Sequence, residues 1–147
     1  MKILNKKAYF DYEVGEKIEA GVKLTGGEVK SVRAGHVSLN DSFVKIIQSE
    51  ALLVNCHINP YSFADNEEYD PKRSRKLLLH KKEILALQNK MQQSNLTIVP
   101  TAMFLKHHLV KVELALARGK KKWDKRQALK EKAMKRDEEE MVRGKLN

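Results

Sequence analysis

Residues 109–117 read LVKVELALA, and this alternation of apolar with other side chains decides the class of fold. A period of two indicates a strand that buries one face. The residues predicted to point inward are Val110, Val112, Leu114 and Leu116, and those predicted to point outward are Lys111, Glu113 and Ala115. Residues 12–24 repeat the pattern, with Ala20 and Val22 inward and Glu19 outward. The chain is therefore predicted to be built on amphipathic strands.

Helix and turn signals divide the rest of the chain into short elements. Residues 25–28 read TGGE, a capping box that predicts a short helix ending near Gly35. Apolar runs at 43–47 and 51–58 predict two strands joined by a hairpin turn. A stripe of apolar residues at helical spacing predicts a second helix over 81–93.

Two more short strands are predicted at 96–99 and 103–105, which brings the total to about six. Many short strands must protect their edges, and a small antiparallel sheet does so most completely by closing on itself. We therefore predict a mainly β fold. It is an OB-type antiparallel β-barrel of about six strands with two or three short helices, followed by a basic C-terminal tail.

The densest basic run lies in the last thirty residues of the chain. Residues 118–136 hold ten Lys or Arg against two acids, a net charge of +8, whereas the first 117 residues hold 17 basic and 13 acidic side chains. Such a run repels itself unless it meets a polyanion, and cations that neutralise phosphates release condensed counterions. Nucleic acid is therefore the predicted partner, and a solvated tail that only aids solubility is the alternative.

The charge pattern divides the chain into an RNA-binding barrel at 1–117 and a basic tail at 118–147. Apolar residues in the tail are too sparse to dock it firmly, although its residue types favour helix. The tail is predicted to be disordered when free and helical when bound. The chain has no apolar run long enough for a membrane span or signal peptide, and its single cysteine suits a reducing compartment. We expect a cytoplasmic protein without a membrane partner.

The sequence carries only weak patterns of an enzyme or a metal site. The pairs Cys56-His57 and His107-His108 have no further Cys or His at the spacing of zinc ligands. Cys56 is predicted to be a small core residue on the same strand face as Leu52. The acidic residues between 11 and 19 alternate between the faces of one predicted strand, which does not gather them around a metal. We expect no metal, no cofactor and no catalytic residue.

Several outward or exposed residues are candidates for contact with nucleic acid. Glu19 and Lys111 occupy outward strand positions, where they can reach a ligand without disturbing the core, and ordinary solvation is the alternative. Residues 72–76 read KRSRK and add a basic segment to a polar loop that is predicted to be exposed. The ring of Trp123 or Tyr61 can stack on an unpaired base. Together these features favour RNA with unpaired or folded elements over duplex DNA.

Five blocks of sequence carry a family resemblance: EAG at 19–21, GEVKSVRAG at 27–35, DSFV at 41–44, DPKRSRKLLL at 70–79 and GKKKWDKR at 119–126. From residue 5 to about residue 136, they follow the order found in the small protein B family, the bacterial tmRNA-binding or SsrA-binding proteins, which the chain resembles. The resemblance implies an OB-type barrel that binds the tRNA-like domain of tmRNA. It also implies a tail that enters the ribosome during trans-translation, the rescue of ribosomes stalled on messages without a usable stop codon.

The resemblance also implies partners and residue roles. The partners are tmRNA, the small-subunit ribosomal RNA at the decoding centre, and elongation factor Tu with aminoacylated tmRNA; the protein is expected to be a monomer. The implied tmRNA-binding residues are Glu19, Leu78 and Lys111, to which the basic segment adds Lys72, Arg73, Arg75 and Lys76. The implied tail residues in the decoding centre and empty mRNA channel are Gly119, Lys120, Lys121, Lys122, Trp123, Asp124, Lys125 and Arg126.

Within the tail, the resemblance assigns a hinge to Gly119, Lys120 and Lys121 and turns Trp123 toward the decoding bases. For Leu78, ordinary core packing is the alternative to RNA contact. For the whole protein, the alternative function is that of a ribosome-associated OB-fold protein that binds structured RNA without specificity for tmRNA.

Overall fold

The computed structural model describes residues 2–61 and 68–146, and their side chains except those of 122–124 and 138–146. These residues form nine strands and four helices. In chain order the elements are β1 (Lys2–Leu4), α1 (Lys6–Asp11), β2 (Tyr12–Val22), α2 (Gly26–Arg33), β3 (Val37–Ser38), β4 (Phe43–Ile47), β5 (Glu50–Val54), β6 (His57–Ile58), β7 (Arg75–Leu78), α3 (Lys81–Ser94), β8 (Thr97–Lys106), β9 (Leu109–Gly119) and α4 (Lys122–Leu146).

Seven strands form one antiparallel sheet in the order β1-β8-β4-β5-β7-β2-β9, and β8 also pairs with β9. This last pairing closes six of the strands into a ring, and β1 pairs with β8 outside it. The ring leaves few unpaired strand edges, as expected for a small barrel. The predicted mainly β fold with a barrel of about six strands is confirmed.

The alternating pattern of β9 places its predicted inward residues in the core. Val112 and Leu114 have no exposed surface, and Val110 and Leu116 are also buried. Ala115 was predicted to point outward, and it is nevertheless fully buried. The outer face near this end of β9 is covered: α1 packs Ala8 against Val99 and Ala117 in a second, smaller core cluster.

Two predicted strand boundaries differ from the structure. The strand predicted at 51–58 is two strands, β5 and β6, with Asn55 between them at a φ of 63°. This turn changes which alternate residues point inward. Before it, Leu53 is fully buried and Leu52 is not; after it, Cys56 is fully buried. Cys56 is therefore a core residue as predicted, although its predicted shared face with Leu52 is wrong.

The segments predicted at 96–99 and 103–105 are two parts of one long strand, β8. An irregularity between Pro100 and Ala102 shifts its register against β9. Such a bulge re-aims one side chain, and here Thr101 Oγ1 donates a hydrogen bond to Glu113 Oε1 at 2.8 Å. β8 can therefore pair with β9 along its full length.

The helix signals of the sequence are confirmed. Thr25 Oγ1 accepts the Glu28 N–H at 3.2 Å and Glu28 Oε1 accepts the Thr25 N–H at 3.0 Å, which completes the capping box of α2. Gly35 follows α2 with a φ of +78°. α3 ends at Asn95 in the left-handed conformation.

The tail forms the helix α4 over Lys122–Leu146, so its predicted capacity for helix is confirmed. Its predicted disorder in the absence of a partner stays a prediction. In the part of the chain that the structure describes, no helix combines the length and the apolar character that crossing a membrane requires.

Candidate nucleic-acid interface

Three residues predicted to bind RNA line one groove on the outside of the barrel. Glu19, Leu78 and Lys111 come from β2, β7 and β9 and border an opening of about 460 Å³. The register brings them together, because Gly21 on β2 lies opposite both Leu78 and Lys111. Glu19 is two residues before Gly21 and therefore points to the same face.

Leu78 is exposed although it belongs to the apolar run LLL. Its exposed fraction is 55%, whereas the preceding Leu77 is 1% exposed and belongs to the core. The core-packing alternative for Leu78 is therefore wrong. An exposed leucine beside two charged residues gives the groove an apolar wall that can pack against a sugar or a base.

The groove contains residues that the sequence pattern did not single out. A Cβ at Gly21 would lie 3.2 Å from Cβ and Cδ1 of Leu78, so the absence of a side chain leaves room for Leu78. His80 also lines the groove, next to Lys76, which was already predicted as part of the basic segment. Gly21 could have been found from its position between two inward residues of an alternating strand, where glycine often marks a close approach.

The acidic residues of this face are balanced by lysines. Glu19 lies opposite Glu113 on β9, an unfavourable pair if neither were compensated. Lys106 Nζ lies 3.4 Å from Glu19 Oε1, and Lys17 Nζ lies 3.4 Å from Glu113 Oε1. The hydrogen bond from Thr101 and the charge of Lys17 lower the pKa of Glu113 despite partial burial. The Glu113 carboxylate is thus held in its charged form, and Glu19 is paired with Lys106.

The basic segment at 72–76 divides into exposed and buried residues. Lys72 and Lys76 are exposed, and Lys76 Nζ lies 3.5 Å from Glu50 Oε1. The side chain of Arg73 is 35% exposed and pairs with Glu28. Arg75 is fully buried. Lys72 and Lys76 therefore remain candidates for RNA contact on the strength of exposure and charge.

The prediction that Arg75 contacts RNA is wrong. Its guanidinium donates from Nε to Glu28 at 2.6 Å, from Nη1 to the Cys56 carbonyl at 2.6 Å and the Arg73 carbonyl at 3.1 Å, and from Nη2 to Tyr69 at 3.1 Å and the Pro71 carbonyl at 3.0 Å. These bonds engage all three nitrogens, so no donor is left to reach a phosphate. Arg75 instead ties the loop before β7 to the start of α2.

The partner of Arg75 is a buried carboxylate. Burial favours the neutral form of Glu28, but hydrogen bonds from Arg73, the Thr25 N–H and Arg75 together lower the pKa of Glu28 to about 2. A pKa depressed from 4.5 contributes stability that is present above about pH 4.5 and lost as the pH falls toward 2. The network is therefore fully charged at neutral pH.

Cys56 lies beside this network and is not a reactive thiol. Burial raises the pKa of Cys56 to about 11, although the charge of Arg75 opposes the shift. A thiol with this pKa is protonated at neutral pH and a poor nucleophile. Among the described residues, no three His, Cys, Asp or Glu side chains are grouped closely enough to hold a metal ion.

The predicted stacking rings have different surroundings. The Nζ of Lys30 lies 5.2 Å from the centroid of the Tyr61 ring, so this ring already meets a cation. The side chains of Lys122, Trp123 and Asp124 lie outside the described residues, and so does the predicted stacking of Trp123 on the decoding bases.

The start of the tail lies against the N-terminal part of the barrel. β9 ends at Gly119, and Lys120 and Lys121 link it to α4. The Lys120 N–H donates to the Asp11 carbonyl at 2.9 Å. Lys125 pairs with Asp11, and Arg126 is exposed. The predicted hinge at 119–121 therefore coincides with the junction between the last strand and the tail helix.

Comparison with known proteins identifies the family. A family model described as SmpB protein matches residues 2–144. The SsrA-binding protein of Sulfurihydrogenibium sp. (strain YO3AOP1) is 55% identical over 97% of this chain and 93% of that protein, and that of Persephonella marina is 51% identical over the same shares.

A solved structure extends the likeness to three dimensions. One chain of "tmRNA-SmpB: a journey to the center of the bacterial ribosome" matches with a TM-score of 0.69 and 44% identity, over 82% of this chain and 85% of that chain. Fold and sequence agree over nearly the whole length, and the chain belongs to the SmpB family.

Proposed function

We propose that this protein is a non-enzymatic RNA-binding adaptor that binds the tRNA-like domain of tmRNA and delivers it to stalled ribosomes for trans-translation. The observation that carries the proposal is the meeting of Glu19, Leu78 and Lys111 at one exposed groove. Its relatives are named for SsrA binding, and its solved neighbour belongs to a tmRNA–SmpB structure on the ribosome. The work is recognition and positioning, without covalent chemistry.

Each groove residue has a distinct role in binding. Glu19 accepts hydrogen bonds from base amino groups, Lys111 meets a phosphate, and Leu78 packs against a sugar or base. Lys76 adds positive charge to the groove itself, and Lys72 is a further exposed cation of the basic segment. This combination recognises a folded RNA by shape and backbone, with one acceptor that reads an unpaired base.

The tail acts at a second site. The barrel ends at Gly119, and α4 with its linker carries the basic residues toward the decoding centre and the empty mRNA channel of the small subunit. Elongation factor Tu, which brings aminoacylated tmRNA to the ribosome, is a predicted partner. A protein that acts on bacterial ribosomes is expected in the cytoplasm, and we expect it to act there as a monomer.

Lys111→Ala is expected to weaken tmRNA binding and to reduce the dependence of log K on log salt by roughly 0.7–0.9, the value for one lost phosphate contact. The measurement is filter binding at several salt concentrations. The matched control is Lys45→Ala, which removes an exposed lysine from β4, three strands from β2 around the barrel. If Lys111→Ala leaves slope and affinity unchanged, Lys111 is outside the interface.

Gly21→Val is expected to lower tmRNA affinity about ten-fold, or about 1.4 kcal/mol. The new side chain meets Leu78 at once, because even its Cβ would lie 3.2 Å away, and it displaces Leu78 into the groove. Gly26→Ala is the control, since a Cβ there meets nothing within 4 Å. Unchanged affinity in a folded Gly21→Val protein would show that RNA does not enter the groove.

Specificity is tested by competition. A protein that recognises tmRNA retains it when bulk tRNA is added in excess, whereas a general binder of structured RNA loses it in proportion to the competitor. Purifying the protein from its cells and identifying the bound RNA gives the same answer without a chosen ligand.

A further inference from the structure

The topology of the barrel brings the end of α1 to the start of the tail. β2 and β9 are antiparallel, and Tyr12, the first residue of β2, lies opposite Gly119, the last residue of β9. Asp11 immediately precedes Tyr12 and Lys120 immediately follows Gly119. Any residue at the end of α1 is therefore placed where the chain leaves the barrel.

Asp11 makes two polar contacts with the tail across this junction. Its carbonyl accepts the Lys120 N–H at 2.9 Å, and its Oδ1 lies 3.4 Å from Lys125 Nζ. The same Nζ lies 5.9 Å from the centroid of the Phe10 ring. The side chain of Asp11 is 26% exposed, so the ion pair is partly shielded from water. The backbone of Asp11 thus binds Lys120 in the linker, and its side chain binds Lys125 further along the tail.

The second of these points lies in the first turn of α4. The Lys125 N–H donates to the Lys121 carbonyl at 3.1 Å, a bond of the helical type that opens the tail helix. A contact in the first turn of a helix restrains the direction of its axis. The contact at Lys120 restrains the linker, so together they restrain the hinge.

We propose that Asp11 is a positioning residue that docks the first turn of α4 on α1 and so sets the direction in which the tail leaves the barrel. This rests on the proposed function, because a tail must point into the mRNA channel while the barrel holds tmRNA. Asp11 acts through α4 and contacts neither tmRNA nor ribosomal RNA. Asp11 would then be a functional residue that lies outside both the groove and the tail.

The geometry of the helix makes its direction matter. α4 has 25 residues, which correspond to a length of about 37 Å at about 1.5 Å per residue. A tilt of about ten degrees at its base moves the far end by about 6 Å, more than the rise of one helical turn. Small restraints at Asp11 therefore become large displacements at the distal end.

The direction of α4 can be measured in the full-length protein by the distance between two spin labels. Ser94→Cys at the exposed end of α3 and Leu129→Cys on the exposed face of α4 provide the attachment sites. Cys56 is fully buried and stays unlabelled. We expect one narrow distribution of distances with Asp11 present.

Asp11→Lys is expected to reduce the docked population about five-fold, the effect of losing one partly exposed ion pair, and to broaden the distribution. The charge swap Asp11→Lys with Lys125→Asp is expected to restore the narrow distribution. Asp41→Asn is the matched control, because it removes an exposed carboxylate whose partner, Lys7, lies in α1 and not in the tail. An unchanged distribution in Asp11→Lys overturns the proposal.

The functional readout uses Asp11→Asn, which keeps the shape of the side chain. It is expected to leave tmRNA affinity unchanged and to reduce peptide tagging on stalled ribosomes several-fold. If Asp11→Asn broadens the distribution of spin-label distances but tagging stays normal, the proposal is also overturned. Failure of the proposed function has a different signature, because the unaltered protein would then lose tmRNA to bulk tRNA in the competition assay.

Discussion

Replacing Arg75 by methionine is expected to lower the free energy of unfolding by about 3–5 kcal/mol, as is typical when one partner of a buried ion pair is removed. Glu28 would remain almost fully buried, with only the partly exposed Arg73 to compensate its charge. The Cys56 carbonyl would also lose the hydrogen bond from Arg75, whereas the Pro71 carbonyl would keep its bond from the Ile58 N–H. Urea denaturation followed by circular dichroism measures the change.

The neighbouring Lys76→Met is the matched control, since Lys76 is exposed and its pair with Glu50 lies in water. We expect it to change stability by less than about 0.5 kcal/mol. The double variant Glu28→Gln with Arg75→Met should lose less than the sum of the single losses, because no fully buried charge remains and Arg73 is partly exposed to water. A stable Arg75→Met protein that has lost only RNA binding would return Arg75 to the interface.

Removal of the chain after Lys121 is expected to abolish peptide tagging on stalled ribosomes and to leave tmRNA affinity within about two-fold, a change of less than about 0.5 kcal/mol. This cut removes all of α4 but keeps the Lys120 bond to Asp11. It also keeps Arg118 and Gly119, which lie opposite Glu13 and Tyr12 in the sheet. A cut after Ala117 would damage the barrel as well.

Thermal unfolding of the truncated protein provides the control, because a melting temperature close to that of the full chain shows that the barrel is intact. Tagging by the truncated protein at the normal rate would contradict the role of the tail in the ribosome. A collapse of tmRNA affinity with an intact barrel would contradict the division of labour between barrel and tail.

The barrel could be predicted from the sequence because its strands bury one face and show it as alternation. This holds for β9 and for the half of β2 that contains Ala20 and Val22. The groove residues Glu19 and Lys111 could be recognised for the same reason, since the alternation in such a strand assigns a charged residue to the outward face. The outward position of Leu78 could be predicted only from the family resemblance. Leu78 lies within a run of three leucines, and such a run does not show which residue faces outward.

The remaining errors come from contacts that periodicity does not encode. Arg75 and Glu28 are 47 positions apart and become buried only because each satisfies the other, whereas a loop of charged residues favours exposure in isolation. Ala115 is fully buried and lies opposite Val99, which belongs to the small cluster that contains Ala8 of α1. α1 itself is only six residues long, too short for a periodic pattern to predict. Asp11 owes its position to the register of two strands that are distant in sequence.

The strand that closes the barrel is also the last to be synthesised. β2 pairs with β9 across roughly a hundred residues of sequence, a separation that slows folding. During translation, β2 must therefore wait with an open edge until β9 emerges, and α4 emerges only after it. A copy of the protein whose own synthesis stops before residue 109 lacks both the closing strand and the tail. We expect such an unfinished copy to bind tmRNA poorly, because it lacks Lys111 and with it one side of the groove.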